Sequence, residues 1–286
     1  MHPVARLATT WLLLALVAAC GPAAPTPAPS GSPAGSGLPS PGVVPTTIYL
    51  FLADERGEPG LVPVARSIPG SAALAPATLE ALLAGPTPDE AGAPNNLMTA
   101  IPGGTRALGL VLDGNVATVD LSGAFGSGGG SESMLGRVAQ VVYTLTALPG
   151  IEAVRFHMDG RPVEALGGEG IVLDQPQTRD GYTEQLPEIF VDTPAWGASV
   201  TAPVRVAGLT RVFEATFQVQ LFDDRGLALA ETVVTASCGT GCWGTFDVEL
   251  AAVVEREQTG SLRVFEASAR DGSPVNVRVY PITLRP

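Results

Sequence analysis

The chain has 286 residues, is 45% apolar and carries a formal net charge of −12. That length suits about two domains, and the apolar share is ample for packed cores. Its basic side chains are all scattered arginines with no lysine, a poor match for nucleic acid or an anionic lipid surface.

The first element in chain order is a short apolar run from Trp11 to Ala19, preceded by Arg6 and closed by small residues and Cys20. It is too short for a comfortable membrane span and reads as a secretory signal peptide over residues 1–19. The ending Val17-Ala18-Ala19-Cys20 resembles the bacterial lipoprotein signal. That resemblance implies cleavage before Cys20, lipidation (palmitate) of Cys20 and a site on the extracytoplasmic face of the cell membrane. Lasting attachment takes more than one acyl chain. The alternative is an ordinary signal with a chance cysteine. Gly21 to Pro45 is uncharged and built from Pro, Ala, Ser, Gly and Thr with little else. It cannot repay the entropy of folding. With Cys20 it is expected to form a disordered tether over 20–45, stiffened by proline. A ligand for a proline-recognising partner is its other reading.

Order is expected from Thr46, in a first domain over about 46–175. Thr46 to Leu52 is a strand-forming apolar run, and Leu61 to Ile68 returns after the turn-like Asp54 to Gly60. Pro76 opens a short helix with Leu79, Leu82 and Leu83 on one stripe, stopped at Gly85-Pro86. Asn95 to Gly104 reads as loop. Arg106 to Leu112 and Asn115 to Leu121 read as a hairpin turning at Asp113-Gly114. Phe125 to Gly130 reads as a flexible connector, with a pliable contact loop around Phe125 as the alternative. A second helix runs from Ser131 or Ser133 to about Leu148, with Met134, Val138, Val141, Leu145 and Leu148 recurring at threes and fours. Ile151 to Met158 is the next strand, turning at Asp159-Gly160 into Pro162 to Leu166. This order predicts an α+β domain, a mixed or antiparallel sheet with helices on one side.

Several blocks resemble the GerMN domain, a sporulation and germination module. They are Ala81 to Thr87, Thr99 to Thr105, Val119 to Phe125, Gln140 to Thr146 and Val154 to Gly160. The resemblance implies a non-catalytic domain, in a family some of whose members help assemble membrane-spanning complexes. The family also occurs in bacteria that make no spores.

Residues 176–187 are polar, end in proline and read as a linker, although Arg179, Asp180 and Tyr182 offer packing back onto the first domain. From Glu188 onward the chain shows strand runs and no helix. They are Ile189–Asp192, Pro203–Ala207, Ala215–Phe222, Leu227–Thr235, Thr245–Leu250, Leu262–Ala267 and Val275–Leu284. Such spacing predicts an all-β sandwich over 188–286. Val200 to Gly208, Val212 to Ala215, Gly244 to Phe246 and Phe265 to Pro274 resemble Gmad2, an immunoglobulin-like module associated with germination. Cys238 and Cys242 lie in a chain read as exported, so a disulfide between them is expected; two free thiols are the alternative.

No motif marks a reaction or a cofactor. His157 stands alone in a strand, and a zinc site needs several converging soft or nitrogen ligands. Ser122 and Ser133 carry no nucleophile motif. Glu80, Asp120 and Glu152 are the carboxylates to inspect for a glycan-hydrolysing pair, and each reads first as a solvated or capping group. Asp223, Asp224 and Asp271 sit at turns without a visible oxygen cage for calcium. Gly126, Gly128, Gly129 and Gly130 lack the Lys-Ser/Thr ending of a phosphate loop. The expectation is therefore no enzyme, no cofactor and no metal. It is an envelope lipoprotein that binds a surface protein or supports assembly of an envelope complex. The alternative is a protein binding cell-wall polymer or a small solute between its domains.

Overall fold

The computed structural model describes residues 42–70, 73–167 and 170–286. The expected signal peptide, Cys20 and most of the tether lie outside the described residues. β1 (Val43–Ala53) begins at Val43 rather than Thr46 and pairs antiparallel along its length with β2 (Pro59–Pro69). Ile48 to Leu52 and Leu61 to Val64 are buried on both faces, which explains runs that do not alternate. α1 (Leu74–Leu83) covers part of this pair with Ala75, Thr78, Leu79 and Leu82. Pro76 sits in its first turn, where a missing N–H costs nothing, and Gly85, at φ +72°, ends it. α2 (Pro88–Ala91) is a single turn, capped by Thr87 and Glu90 reciprocally. β3 (Leu97–Met98) pairs with Phe51 and Leu52 inside the stretch expected as loop; two residues are too few for a period to register.

β4 (Ala107–Asp113) and β5 (Val116–Leu121) form the expected hairpin, turning through Gly114 at φ +58° and Asn115. A helical turn at 123–126 leads to α3 (Ser131–Leu145), which crosses over to β6 (Ala153–Met158), parallel to β5. β7 (Arg161–Pro162) completes the order β4-β5-β6-β7, and β8 (Ala165–Leu166) pairs with β9 (Ile171–Val172) as a small ribbon.

α3 is buried continuously from Gly136 to Leu145, far beyond the expected apolar stripe. Its polar side chains are occupied. Thr144 Oγ1 accepts the Tyr49 N–H at 3.0 Å, and Gln140 Nε2 donates to the Tyr49 carbonyl at 2.9 Å. Gln140 Oε1 accepts the Ala100 N–H at 2.8 Å. The helix thus satisfies the margin of β1 where β3 does not reach, as buried backbone groups require.

The Phe125 region departs from both expectations. Phe125 is 1% exposed and stacks on Phe156 with centroids 6.0 Å apart, so it is core, neither contact loop nor free connector. Arg137, buried on α3, holds the glycine-rich turn by its backbone, donating to the Phe125 carbonyl at 2.6 Å, Ser127 at 3.1 Å and Gly128 at 3.0 Å. Composition marks such a stretch as loose because it cannot reveal a distant guanidinium that binds its carbonyls.

The 176–187 segment packs rather than hangs: Gln177 bridges to Val154, and Tyr182 and Leu186 are buried. The second domain follows with β10 (Ile189–Thr193), β11 (Ser199–Thr201), β12 (Val204–Thr210), β13 (Thr216–Phe222), β14 (Ala228–Thr235), β15 (Gly244–Leu250), β16 (Gln258–Ala267) and β17 (Pro274–Arg285). β10-β12-β15 makes one sheet and β11-β17-β16-β13-β14 the other. Phe217, Val219 and Leu221 alternate inward from β13, and Phe217 meets Phe246 of the facing sheet edge-on at 4.8 Å. The architecture is therefore an α+β domain followed by an all-β immunoglobulin-like sandwich. β11, unforeseen from sequence, runs parallel to β17. Cys238 and Cys242 are joined in the β14–β15 loop with Cα atoms 5.9 Å apart.

Candidate functional site at the domain junction

The residues that sequence inspection singles out for chemistry do not converge. Glu80 is exposed on α1. Asp120 accepts the Gly160 N–H at 3.0 Å, and Glu152 accepts from the Asn115 amide. Ser122 Oγ accepts the Arg106 N–H at 3.0 Å, and Ser133 Oγ accepts from Arg137 at 3.0 Å. His157 is half-buried opposite Asp120 in the β5–β6 ladder. Asp223 accepts the Arg225 and Leu227 N–H groups, Asp224 pairs with Arg256 at 2.7 Å and Asp271 accepts from Ser273. These are turn and capping roles. Among the described residues no three His, Cys, Asp or Glu side chains are grouped to hold a metal ion.

The polar chemistry concentrates instead where the two domains meet. Tyr49 of β1 donates from its hydroxyl to Asp192 Oδ1 of β10 at 2.6 Å. Arg179 lies over the rings of Tyr143 and Tyr49, at 4.8 and 5.3 Å from their centroids. It also donates to the Tyr143 carbonyl at 3.0 Å and to Thr146 Oγ1 at 2.8 Å, and lies 3.9 Å from Asp192. Phe190 closes the cluster against both tyrosines, with centroids 6.4 and 6.1 Å away. Burial pushes the Tyr143 phenol up to about 12, and burial with the Asp192 charge raises Tyr49 further, so both stay protonated donors.

A second set of contacts ties the domains on another side. Arg278 of β17 is 6% exposed and donates to the carbonyl of Leu52 and to that of Glu58 at 3.0 Å. Burial lowers its guanidinium below the ordinary arginine value. Gly60 makes room for it, since a Cβ there would lie 2.9 Å from Arg278 Nη2 and from Pro187 Cβ. Trp196 adds its backbone to the edge of β2, donating to Pro63 at 2.8 Å and accepting from Ala65 at 2.9 Å. The next residues bond β17, Gly197 to Pro281 at 2.7 Å and Thr283 to Ala198 at 2.9 Å. One strap is thus shared by β2 of the first domain and β17 of the second. Sequence reading passed over Arg278, although it shares the inward parity of Tyr280, Ile282 and Leu284. Tyr49, Asp192 and Trp196 gave no comparable signal.

Two clefts flank these contacts. One, of about 370 Å3, is lined by Asp54, Glu58, Glu184, Glu188, Arg211 and Arg278 among others. The other, of about 710 Å3, has Arg179, Asp192, Arg205 and Asp247 on its walls. Most of these charges are already partnered: Arg205 forks onto Asp247 at 2.9 and 2.7 Å, and Arg211 bonds Glu188 and Glu184 at 3.0 and 2.8 Å. Such surfaces suit polar contact and hold no nucleophile paired with a base. Among the described residues no helix is long and apolar enough to cross a membrane.

Residues 47–164 match the family Germane, described as sporulation and spore germination, and residues 188–273 match Gmad2, an immunoglobulin-like domain of bacterial spore germination. The chain is similar to the first GerMN domain of the sporulation protein GerM from Bacillus subtilis, at 21% identity and TM-score 0.37, over 47% of this chain and 98% of that one. It is also similar to the tandem GerMN domains of that protein, at 17% identity and TM-score 0.40, over 73% of this chain and 62% of that one. None of the curated proteins matches it.

Proposed function

We propose, for a chain whose architecture is GerMN-like followed by Gmad2-like, that it is an envelope lipoprotein held by a lipidated Cys20. Its two domains, starting near residues 46 and 188, act as one non-catalytic body that binds a surface protein or supports assembly of an envelope complex. The carrying observation is the strap from Trp196 to Thr201, bonded to β2 on one side and β17 on the other. A junction bonded in this way favours a fixed presenting surface over two lobes that close on a solute. The resemblance to sporulation and germination modules supplies the class of partner, an envelope protein. The uncharged tether gives the body reach, and its acidic balance argues against nucleic acid.

The test is crosslinking in intact cells, with the attached proteins identified and Cys20→Ser as control. The expected outcome is reproducible enrichment of one envelope protein, lost with Cys20→Ser, and an acylated Cys20 at the mature N-terminus by mass spectrometry. An unmodified terminus downstream of Cys20 would refute the anchor. Hydrolysis of wall material by the purified protein, with no enriched partner, would refute the non-catalytic reading. A second reading, a binder of cell-wall polymer, is favoured by the Arg179–Asp192–Arg205–Asp247 cleft. Binding to isolated wall without hydrolysis selects it.

A further inference from the structure

β4 is the outer strand of its sheet, with β5 on one side and no described strand on the other. Such an edge normally carries charge or proline that discourages further pairing. Here the strand is Ala107-Leu108-Gly109-Leu110-Val111-Leu112-Asp113, uncharged until its last residue. Leu108 is 49%, Val111 66% and Leu112 54% exposed. The register explains the exposure. Leu110 lies opposite Val119 and Leu112 opposite Ala117, both fully buried, so these leucines continue the core layer of the sheet. α1 packs against part of β4, and beyond it the layer runs out into solvent at Leu108 and Leu112 instead of ending in polar residues.

Charges bracket the apolar edge. Arg106 precedes it, Asp113 ends it, and neither side chain has an ion pair or hydrogen bond among the described residues. In an antiparallel pairing of two such strands about Leu110, Arg106 of each copy falls opposite Asp113 of the other. The kink between Ala107 and Gly109 fits this count, since the bulged pair takes up one position of the ladder. The edge is therefore complementary to itself in register, apolarity and charge, as a twofold interface demands. Another outer strand among the described residues, β14, lacks this property. Self-pairing about its middle would set Glu231 beside its own twin.

We infer that β4 pairs antiparallel with β4 of a second copy, joining the two β4-β5-β6-β7 sheets into one continuous sheet and covering Leu108, Leu110 and Leu112. The interface is separate from the domain junction.

The absence of lysine supplies a specific test. Arg106→Lys in the full chain, purified in mild detergent, introduces the first lysine amine, and a carbodiimide then joins it to any carboxylate in contact. Within one copy, residues 106 and 113 stand at opposite ends of the strand, on the order of 20 Å apart, so an amide between them reports two copies. The expected product is a covalent dimer whose linkage maps to Asp113, absent with Arg106→Lys/Asp113→Asn. Leu112→Arg added to Arg106→Lys should abolish it while leaving the circular dichroism of the folded chain unchanged. Without crosslinker, light scattering should show a dimer for the parent and monomers for Arg106→Asp and for Asp113→Arg. The double reversal should restore the dimer. A parent that is monomeric throughout, an amine joined to another carboxylate, or one joined to a different protein would each overturn the inference.

Discussion

Tyr49 and Asp192, 143 residues apart in sequence, share a hydrogen bond that joins the first domain's central strand to the second domain, at 2.6 Å. The bond ends on a carboxylate, which makes it stronger than one between neutral groups. Tyr49→Phe keeps the ring against Tyr143 and Phe190 and removes only the hydroxyl. The expected cost is about 1.5–3 kcal/mol, read from urea unfolding. An unchanged midpoint would show that Asp192 finds equivalent partners in water and Arg179.

Arg278 should matter to cooperativity as well as to stability. Arg278→Met retains an apolar stem but leaves the Leu52 and Glu58 carbonyls without their donor. Stability should fall by about 2–4 kcal/mol. Unfolding followed by tryptophan fluorescence and by circular dichroism should separate into two steps, because the domains lose a main tie. Coincident transitions at the parent's midpoint would count against this role.

Arg137 is predicted to hold the glycine-rich turn in place. Arg137→Ala frees the carbonyls of Phe125, Ser127 and Gly128 and opens a void beside Phe125. A loss of about 3 kcal/mol is expected. Amide exchange should rise at residues 125–130, while the second domain keeps its protection. Arg137→Lys should rescue little, since an ammonium lacks the planar fork that reaches several carbonyls.

The tyrosines predict alkaline sensitivity. Burial pushes Tyr143, Tyr182 and Tyr280 from 10.0 up to about 12, and Tyr49 is raised as well. In the unfolded chain these phenols ionise near 10. Above that pH the unfolded chain has released protons the folded chain retains, so unfolding is increasingly favoured. The stabilisation is complete below about pH 10 and is lost progressively as pH rises toward about 12. Denaturant midpoints should fall across that window, and tyrosinate absorbance should appear together with loss of structure. Ionisation near pH 10 in an intact fold would contradict the burial.

The Cys238–Cys242 bond closes a very short loop beside Trp243, whose ring faces Arg211 at 5.0 Å. Short loops constrain the unfolded chain least, so Cys238→Ala/Cys242→Ala should cost near the low end of about 2–4 kcal/mol. The thermal midpoint should drop modestly, with the sandwich still formed. Complete unfolding would assign the loop a larger part.

Much of the fold was legible because local chemistry reports it. The β4–β5 hairpin follows from Asp113-Gly114-Asn115, and α1 ends where Gly85-Pro86 says it must. β13 alternates in sequence as it does in space. α2 was legible too, through the Thr87–Glu90 capping box, and was passed over because only one turn follows it. β3 and β11 were not legible, being two and three residues long. Strands that short exist only because a partner strand is already in place.

The chain by itself determined most of the longer strands and helices, several of the turns between them, and that the second half is a sandwich. These depend on side-chain period, turn residues and caps, all short-range properties. Only the tertiary structure decided that Phe125 is core, that residues 176–187 pack, and that Arg278, Tyr49–Asp192 and Trp196 bond one domain to the other. A buried arginine or a half-exposed leucine looks the same in sequence whatever it meets. Whether its neighbours are solvent, a carbonyl or an open sheet edge depends on contacts between residues up to 226 positions apart. No local window contains both partners.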